Sequence, residues 1–413
     1  MNILIVTPHF HPENFRINDL ADEFKNRGHN ITVLTAIPDY PIGKFYDGYG
    51  LFKRNKENLN GLKIYRAPII PRGSGSNTRL AINYISHVIG AIFTSFFILN
   101  KKFDIIFVFE PSPITIGLPA VFIKKIKKVP ICFWVLDLWP ESVVSAGNIK
   151  TNLIPKLLTP VVKFIYKNCD KILVSSNGFI SSINDKGIAL DKIEFFPQWA
   201  EKLFRPVSQK KNLLKINMPK NKFIIMFAGN IGEAQDFPSI LKAAKLLKNK
   251  KKIQWVIIGS GRRSKWVKNK IKEYDLDHCF HMIGRHPIDL MPDFYALSDA
   301  MLFSLKDEDI FSITIPAKLQ SYLACGKPIL GMINGEAAKI INENSAGIAC
   351  EAGDYNSLAN NIDNLSNLKK TEISELSQNS LNCYKEKFER TYLLNKLENI
   401  FKSMTKKSEQ RII

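Results

Sequence analysis

The chain predicts an α/β protein of two doubly wound parallel-sheet domains, and three observations carry that prediction. Short apolar runs rich in Ile, Val and Phe alternate with amphipathic helical patterns along the whole length, the signature of βαβ units. The alternation lapses between 198 and 221, where the sequence turns polar, Lys-rich and Pro-bounded, and then restarts. Finally, 413 residues is about twice the length of an ordinary domain. The expected organisation is a domain over 1–200, a linker over 201–221, a second domain over 222–378, and a closing helix and tail over 379–413.

Taken in order, the first-half strands are expected at "NILIVT" (2–7), "NITVLTA" (30–36), "LKIYRAPI" (62–69), "DIIFVFE" (104–110), "ICFWVLD" (131–137), "KILVSS" (171–176) and "KIEFFP" (192–197). The first helix spans 14–27, with Ile17, Leu20, Ala21 and Phe24 on one face and Gly28 as its stop. After the linker, strands are expected at "FIIMFAG" (223–229), "IQWVIIG" (253–259), "CFHMIG" (279–284), "AMLFSL" (300–305), "PILGMI" (328–333) and "GIAC" (347–350). Phe237, Ile240, Leu241, Ala244 and Leu247 make the apolar stripe of a core helix between the first two of these, and "YLLNKLENIFKSM" is a last amphipathic helix. Two such sheets would leave a cleft between their strand carboxyl ends, where open α/β sheets hold ligands.

Lys plus Arg outnumber Asp plus Glu by 58 to 38, a net charge of +20. That excess suits a polyanionic neighbour, whether nucleic acid, an anionic membrane face or a phosphorylated substrate, and it also fits a solvated enzyme surface. No RNP-type aromatic strand or helix-turn-helix pattern accompanies it, which disfavours nucleic acid. The cysteines, at 132, 169, 279, 325, 350 and 383, form no CxxC pair; neither a disulfide framework nor a zinc site is suggested, and a reduced cytoplasm fits. "MNILIVTPHFHPE" lacks the charged region and the long apolar run of a signal peptide and reads as a first strand. Residues 80–99, "LAINYISHVIGAIFTSFFIL", are long enough to span a bilayer and have basic flanks at Arg79 and Lys101–Lys102. A single span, however, would put strands of one sheet on opposite sides of a membrane. The segment is expected to be a helix partly in the core and partly in the membrane interface.

The chemistry-bearing residues fall at strand ends. Gly229, Asn230, Ile231 and Gly232 follow an apolar strand and precede a helix, so backbone N–H groups can approach an anion there, although the GxGxxG spacing of a dinucleotide site is missing. The helix dipole contributes about 0.3–1 kcal/mol, which is modest for a diphosphate, so cations are needed too. Arg262 or Arg263 after "IIGSG" with its Gly261, Arg285 after "HMIG", and Lys318 opening "AKLQSYLACG" are the candidates. In the first half Glu110 closes "DIIFVFE", Asp137 closes "ICFWVLD" with Glu141 one turn on, and Glu13 and Arg16 lie after the first strand. A carboxylate at the end of a buried strand costs desolvation energy unless it is paired or serves a cleft. No metal site is indicated: His9 and His11 lack a third ligand nearby, DxD is absent at the expected strand ends, and no GxSxG or Walker sequence is present.

Together these segments resemble the family 4 glycosyltransferases, whose GT-B fold is two Rossmann-like domains facing a cleft. The residues that carry the resemblance are "PHFHPENFRINDLADEFKNRGHNITVLTAIPDYPIGKFYDGY", "DLWPES" (137–142), "AGNIGEAQ" (228–235) and "IPAKLQSYLACGKPIL" (315–330). The first two are similar to a bacterial O-antigen, capsule and colanic-acid subgroup that includes L-fucosamine transferases. The resemblance implies retaining transfer without a required metal or cofactor. It places a nucleotide-diphospho-sugar donor, UDP-linked, on the second domain and the acceptor on the first. N-acetyl-L-fucosamine or a related deoxyamino sugar would pass to a polyprenyl-diphosphate-linked glycan, on an enzyme peripheral to the inner face of the cell membrane. Asp137 stands where many members have an acceptor-side histidine, with Glu110 and Glu13 as further catalytic carboxylates and Arg16 and Glu141 on the acceptor side. Asn230 and Gln235 replace the usual Arg and Lys for the diphosphate, which moves that task to Lys318 and Arg285. Ile313 and Ser321 replace the family's paired glutamates. A UDP-sugar 2-epimerase of the same architecture is the rival reading, and a basic nucleic-acid-binding protein a more distant one.

Overall fold

The computed structural model describes residues 1–147, 153–208 and 221–410. They form two compact units, one of Met1–Phe196 with Leu394–Ile413 and one of Pro197–Leu393. Most of the segment read as a linker, 209–220, lies outside the described residues.

The first unit is built on strands β1 (Asn2–Val6), β2 (Asn30–Ala36), β3 (Lys56–Leu59), β4 (Leu62–Ala67), β5 (Ile105–Glu110), β6 (Ile131–Val135), β7 (Lys171–Val174) and β8 (Ile193–Phe195). They lie in the order β3-β4-β2-β1-β5-β6-β7-β8. All pairs are parallel except β3 with β4, a hairpin whose register, Leu59 opposite Leu62, leaves Asn60-Gly61 as its turn. Both turn residues have positive φ, at 49° and 92°, as a tight hairpin turn requires. Strand order reverses between β1 and β5, the crevice where doubly wound sheets take ligands.

The second unit has β9 (Phe223–Ala228), β10 (Ile253–Ile258), β11 (Phe280–Gly284), β12 (Ala300–Ser304), β13 (Ile329–Met332) and β14 (Gly347–Cys350), all parallel, in the order β11-β10-β9-β12-β13-β14. Its reversal falls between β9 and β12. Ile225, Phe227, Trp255 and Ile257 pack beneath the helix Phe237–Leu246, whose apolar stripe is the one read from sequence.

Two helices add to what their sequences display. The segment 379–413 does not stand apart as a closing helix and tail: the helix Lys370–Lys387 lies in the second unit, while most of Arg390–Gln410 is a core element of the first. Its Phe401 is fully buried against Phe24 and Phe107, with ring centroids 5.8 and 5.2 Å away. Glu398 fastens the same helix, accepting from Arg27 Nη1 at 2.9 Å.

The apolar segment at 80–99 is the helix Asn77–Ser95, N-capped by the Ser76 side chain, with turns after it. Among the described residues no helix is long and apolar enough to cross a membrane. Its faces are reversed relative to a core helix: Asn83, His87, Thr94 and Ser95 are buried, while Ile85, Ile89 and Phe93 are each more than 60% exposed, as is Phe97 just beyond it.

Candidate functional site

In the first unit the loops after β1, β2 and β4 are tied into one polar cluster. Glu13 is buried and holds its neighbours with both oxygens: Oε2 lies 2.9 Å from His9 Nδ1, and Oε1 accepts from the backbone N–H groups of Asp39 and Tyr40 at 2.9 and 2.7 Å. Asp39 in turn accepts from the Arg72 N–H at 2.8 Å and from Asn83 Nδ2 at 3.2 Å, and its Oδ1 meets Arg72 Nε at 3.3 Å. Arg72 Nη2 then reaches His9 Nε2 at 3.3 Å. The His9 ring is stacked on Phe15 at 4.6 Å, which fixes its plane. Behind it His87 is buried and neutral, its pKa lowered to about 3 by burial and then by the charges of His9 and Arg72. Arg16 opens the first helix and is itself buried.

The second cluster of this unit lies at the ends of β5 and β6. Glu110 has no exposed surface, and its Oε2 accepts from the Asp137 backbone N–H at 3.3 Å. Burial, and then the charge of Asp137, holds its carboxyl well above the usual range, although backbone N–H groups of Asp137, Leu136 and Ser112 oppose this. Asp137 sits two residues beyond the end of β6 rather than closing the strand, half-buried with one face open. Its pKa is raised by burial, against the stabilising influence of the Ser142 and Ser112 hydroxyls and the Trp139 indole. Trp139 Nε1 donates to Asp137 Oδ2 at 3.1 Å and reaches Ser112 Oγ at 3.2 Å, while the Tyr84 ring stands edge-on to Trp139 at 5.9 Å.

Of the three carboxylates expected to be catalytic, Asp137 alone has a face that a substrate can touch. Glu110 and Glu13 are braces, one holding the loop that carries Asp137 and the other orienting His9. Glu141 is also committed, to Lys186 Nζ at 2.6 Å and Ser182 Oγ at 2.7 Å, so it anchors the helix Gly178–Asp185. The sequence reading weighed His9 only as a metal ligand and did not single out Asp39, Arg72, Tyr84, Ser112 or Trp139. Arg72 and Asp39 follow strand ends, so the rule that selected Asp137 would have selected them.

In the second unit the strand ends β9, β10 and β11 carry Gly229, Gly259 and Gly284. Gly229 and Gly259 have φ of 144° and 132°, and a Cβ on Gly259 would stand 1.9 Å from the Gly229 carbonyl oxygen; only glycine lets these strand ends pass. The Asn230 side chain is packed between Gly232 and Gly261, whose Cβ positions fall 2.6 Å from its Nδ2 and Oδ1 respectively. The Gly232 N–H is not free for an anion, because it donates to Gln235 Oε1 at 3.0 Å. Asn230 and Gln235 therefore shape the turn.

The Lys318 ammonium lies beside this turn. Lys318 is at the second position of the helix Ala317–Ala324, and that helix is pinned to β9 by Tyr322, whose hydroxyl donates to the Ala228 carbonyl at 2.9 Å and accepts from its N–H at 3.1 Å. One turn earlier, the Lys318 ammonium lies over the Phe227 ring at 4.3 Å and 3.1 Å from the place a Gly229 Cβ would occupy. Its Nζ is buried and has no hydrogen-bond partner, while the residue as a whole is half-buried, and burial lowers its pKa to about 8. Ser321 is buried on the same helix. Arg285 follows Gly284, whose carbonyl accepts from the Gly259 N–H at 2.7 Å, so it sits on the same edge of the sheet with its side chain exposed. Arg262 is exposed too; its neighbour Arg263 pairs with Glu233 at 2.7 Å. Among the described residues no three His, Cys, Asp or Glu side chains are placed to hold a metal ion.

With this geometry in place, comparisons with known proteins are informative. Residues 208–380 match the family model "Glycosyl transferases group 1", a span that lies within the second unit. "Probable glycosyltransferase WbjE" of Pseudomonas aeruginosa is 32% identical over 243 residues, 56% of this chain and 59% of that protein. WcaI of Escherichia coli (strain K12), named for colanic acid biosynthesis glycosyl transfer, is 24% identical over 345 residues, 79% of this chain and 82% of its own. Among solved structures, sucrose-phosphate synthase from Thermosynechococcus elongatus superposes with a TM-score of 0.77 at 14% identity, covering 97% and 98% of the two chains. The fold is GT-B. Anabaena Alr3699/HepE, solved in complex with UDP, superposes with a TM-score of 0.71 at 13% identity over 98% of this chain and 100% of its own. The matched span contains Gly229, Lys318 and Arg285.

Proposed function

We propose that the protein is a glycosyltransferase of bacterial surface-polysaccharide assembly. It transfers a deoxyamino sugar, of the N-acetyl-L-fucosamine kind, from a UDP-linked donor on the second unit to a lipid-linked glycan on the first. The observation that carries the reading is Lys318. A buried ammonium without a partner costs several kcal/mol in an apoprotein, and an anion arriving at Gly229 turns that cost into binding. As the glycosidic bond breaks, charge accumulates on the leaving diphosphate, so a desolvated cation stabilises the transition state more than the ground state. Asp137, open on one side and braced by Glu110, is the acceptor-side carboxylate that orients the incoming hydroxyl. The resemblance to family 4 assigns retention at the anomeric carbon, without a cofactor or required metal.

The membrane reading draws on the helix Asn77–Ser95. Three or four apolar side chains leaving water contribute about 1.5–3 kcal/mol each at full burial, and the surplus of Lys and Arg favours an anionic surface. A peripheral position beside a polyprenyl-linked acceptor accounts for both.

The test is a panel of nucleotide-sugars offered with a lipid-linked acceptor and read by product mass and anomeric configuration. Lys318→Met is expected to lower kcat/KM for the donor at least about tenfold, and Asp137→Ala to abolish transfer while leaving donor binding nearly intact. Wild-type turnover in both variants overturns the site. Interconversion of free UDP-sugar without any acceptor overturns the transfer reaction.

A further inference from the structure

We propose that the first unit carries a second anion site, a lysine-lined pocket that takes a phosphate-bearing group, on the edge of the sheet opposite Asp137. The pocket encloses about 700 Å³ where Val129 and Pro130 lead into β6, Asp170 precedes β7 and Asp191 precedes β8. Asp137 follows the other end of β6, so the two places are separated by the length of a strand, about 15 Å or more.

Six lysines and three carboxylates line this pocket. Two of the carboxylates are already neutralised, Asp170 by Lys124 at 2.5 Å and Glu194 by Lys171 at 2.9 Å. Lys124 also caps the preceding helix by donating to the Asn168 carbonyl at 2.8 Å, so its place is explained by structure alone. Lys125, Lys128, Lys192 and Lys407 have no carboxylate within ion-pair distance among the described residues; Lys192 reaches the Cys169 carbonyl at 3.4 Å, and Asp191 is the third carboxylate of the lining. Like charges gathered in a concavity repel one another, and a polyanion is the partner that relieves this; lysine serves as a point charge for phosphate.

The wall of the pocket indicates where such a group comes from. Ile400 and Met404 of the last helix form an apolar side. At the rim, Lys125 lies 5.3 Å over the ring of Phe164, which is itself exposed, as are Ile126 on the helix Gly117–Lys127 and Leu157 on the helix Leu153–Asn168. A charged concavity opening onto exposed apolar side chains suits a phosphate joined to an apolar tail, and basic pockets beside membrane-facing surfaces take phospholipid head groups. A water-soluble phosphate ester offers the same chemistry to the lysines without the tail.

Neither Lys318 nor Asp137 belongs to this pocket, so the inference stands independently of the glycosyl-transfer reading. It is tested by lysine acylation of the full chain, read peptide by peptide in a mass spectrometer. Glycerol phosphate is compared with sodium chloride at equal ionic strength, and phosphatidylglycerol vesicles with phosphatidylcholine vesicles. Acylation of Lys128, Lys192 and Lys407 is expected to slow by about threefold or more at saturating probe, with the exposed Lys250 of the second unit unchanged. Protection by glycerol phosphate marks a site for phosphate as such, and protection by phosphatidylglycerol alone marks a lipid head group. The pair Lys128→Glu with Lys407→Glu should retain the wild-type Tm and lose the protection of Lys192. Unchanged acylation with every probe, or equal protection by phosphatidylcholine, overturns the proposal.

Discussion

Lys318 illustrates how one side chain can be costly for folding and useful for binding. Its folded pKa, about 8 against an ordinary 10.5, means that below pH 8 the apoprotein pays for a desolvated charge, about 3 kcal/mol at the usual conversion. The sign follows from proton counting: between about pH 8 and 10.5 the unfolded chain binds the extra proton, so the group's penalty fades as pH rises through that window. Lys318→Met is therefore expected to raise Tm at pH 7 while weakening donor binding, a pairing that calorimetry and nucleotide titration can check together. For the same reason wild-type affinity for UDP should fall as pH climbs through about 8, and the Met variant should show no such inflection. Glu110 offers the complementary case. Because it braces Asp137 without exposed surface, Glu110→Gln should lower kcat with little change in donor KM. An equal loss in both parameters would point to a wider collapse of the loop.

Among elements, the helix Asn77–Ser95 and the last helix show why pattern alone misleads. The apolar richness of 80–99 was visible, but not its direction; that direction is set by Asn83 bonding Asp39 and the Ile70 carbonyl, partners far away in sequence. Replacing Ile85, Ile89 and Phe93 together by Ser is expected to leave Tm nearly unchanged and to reduce sedimentation with anionic vesicles severalfold. The last helix reads as amphipathic from its sequence, but the unit it joins does not show there; Glu398 fastens it to the first. Its pKa falls to about 2, through hydrogen bonds from Lys402 and, against some burial, from Arg27, and then through the charges of Lys402 and His29. A lowered carboxylate gives its full stabilisation above the ordinary 4.5 and loses it as pH drops toward 2. The Tm difference between wild type and Glu398→Gln should thus be constant near neutrality and shrink below about pH 4.5. One local signal was overlooked: Asn60-Gly61 announces the β3–β4 hairpin, but the polar strand before it, "KENL", carries no apolar alternation.

For the whole molecule, the repeated strand-and-helix rhythm was enough to read both sheets, because buried parallel strands must be continuously apolar whatever their neighbours. The site was legible only in part. Strand-end glycines and Lys318 sit in local contexts that sequence displays, whereas the roles of Glu13 and Glu110 depend on how much water reaches them, which only packing decides. His9 and Arg72 meet across 63 positions of chain, beyond the reach of any local rule. Part of the net charge of +20 is gathered in place, in the lysines that line the pocket beside β6 to β8.

The interleaving of the two units has a consequence for biosynthesis. Since Phe401 completes the core around Phe24 and Phe107, a ribosome delivers the keystone of the first unit only after the whole of the second has been made. The nascent first sheet must wait with an uncovered apolar hollow, and a chain released before Glu398 would be a substrate for chaperones and proteases.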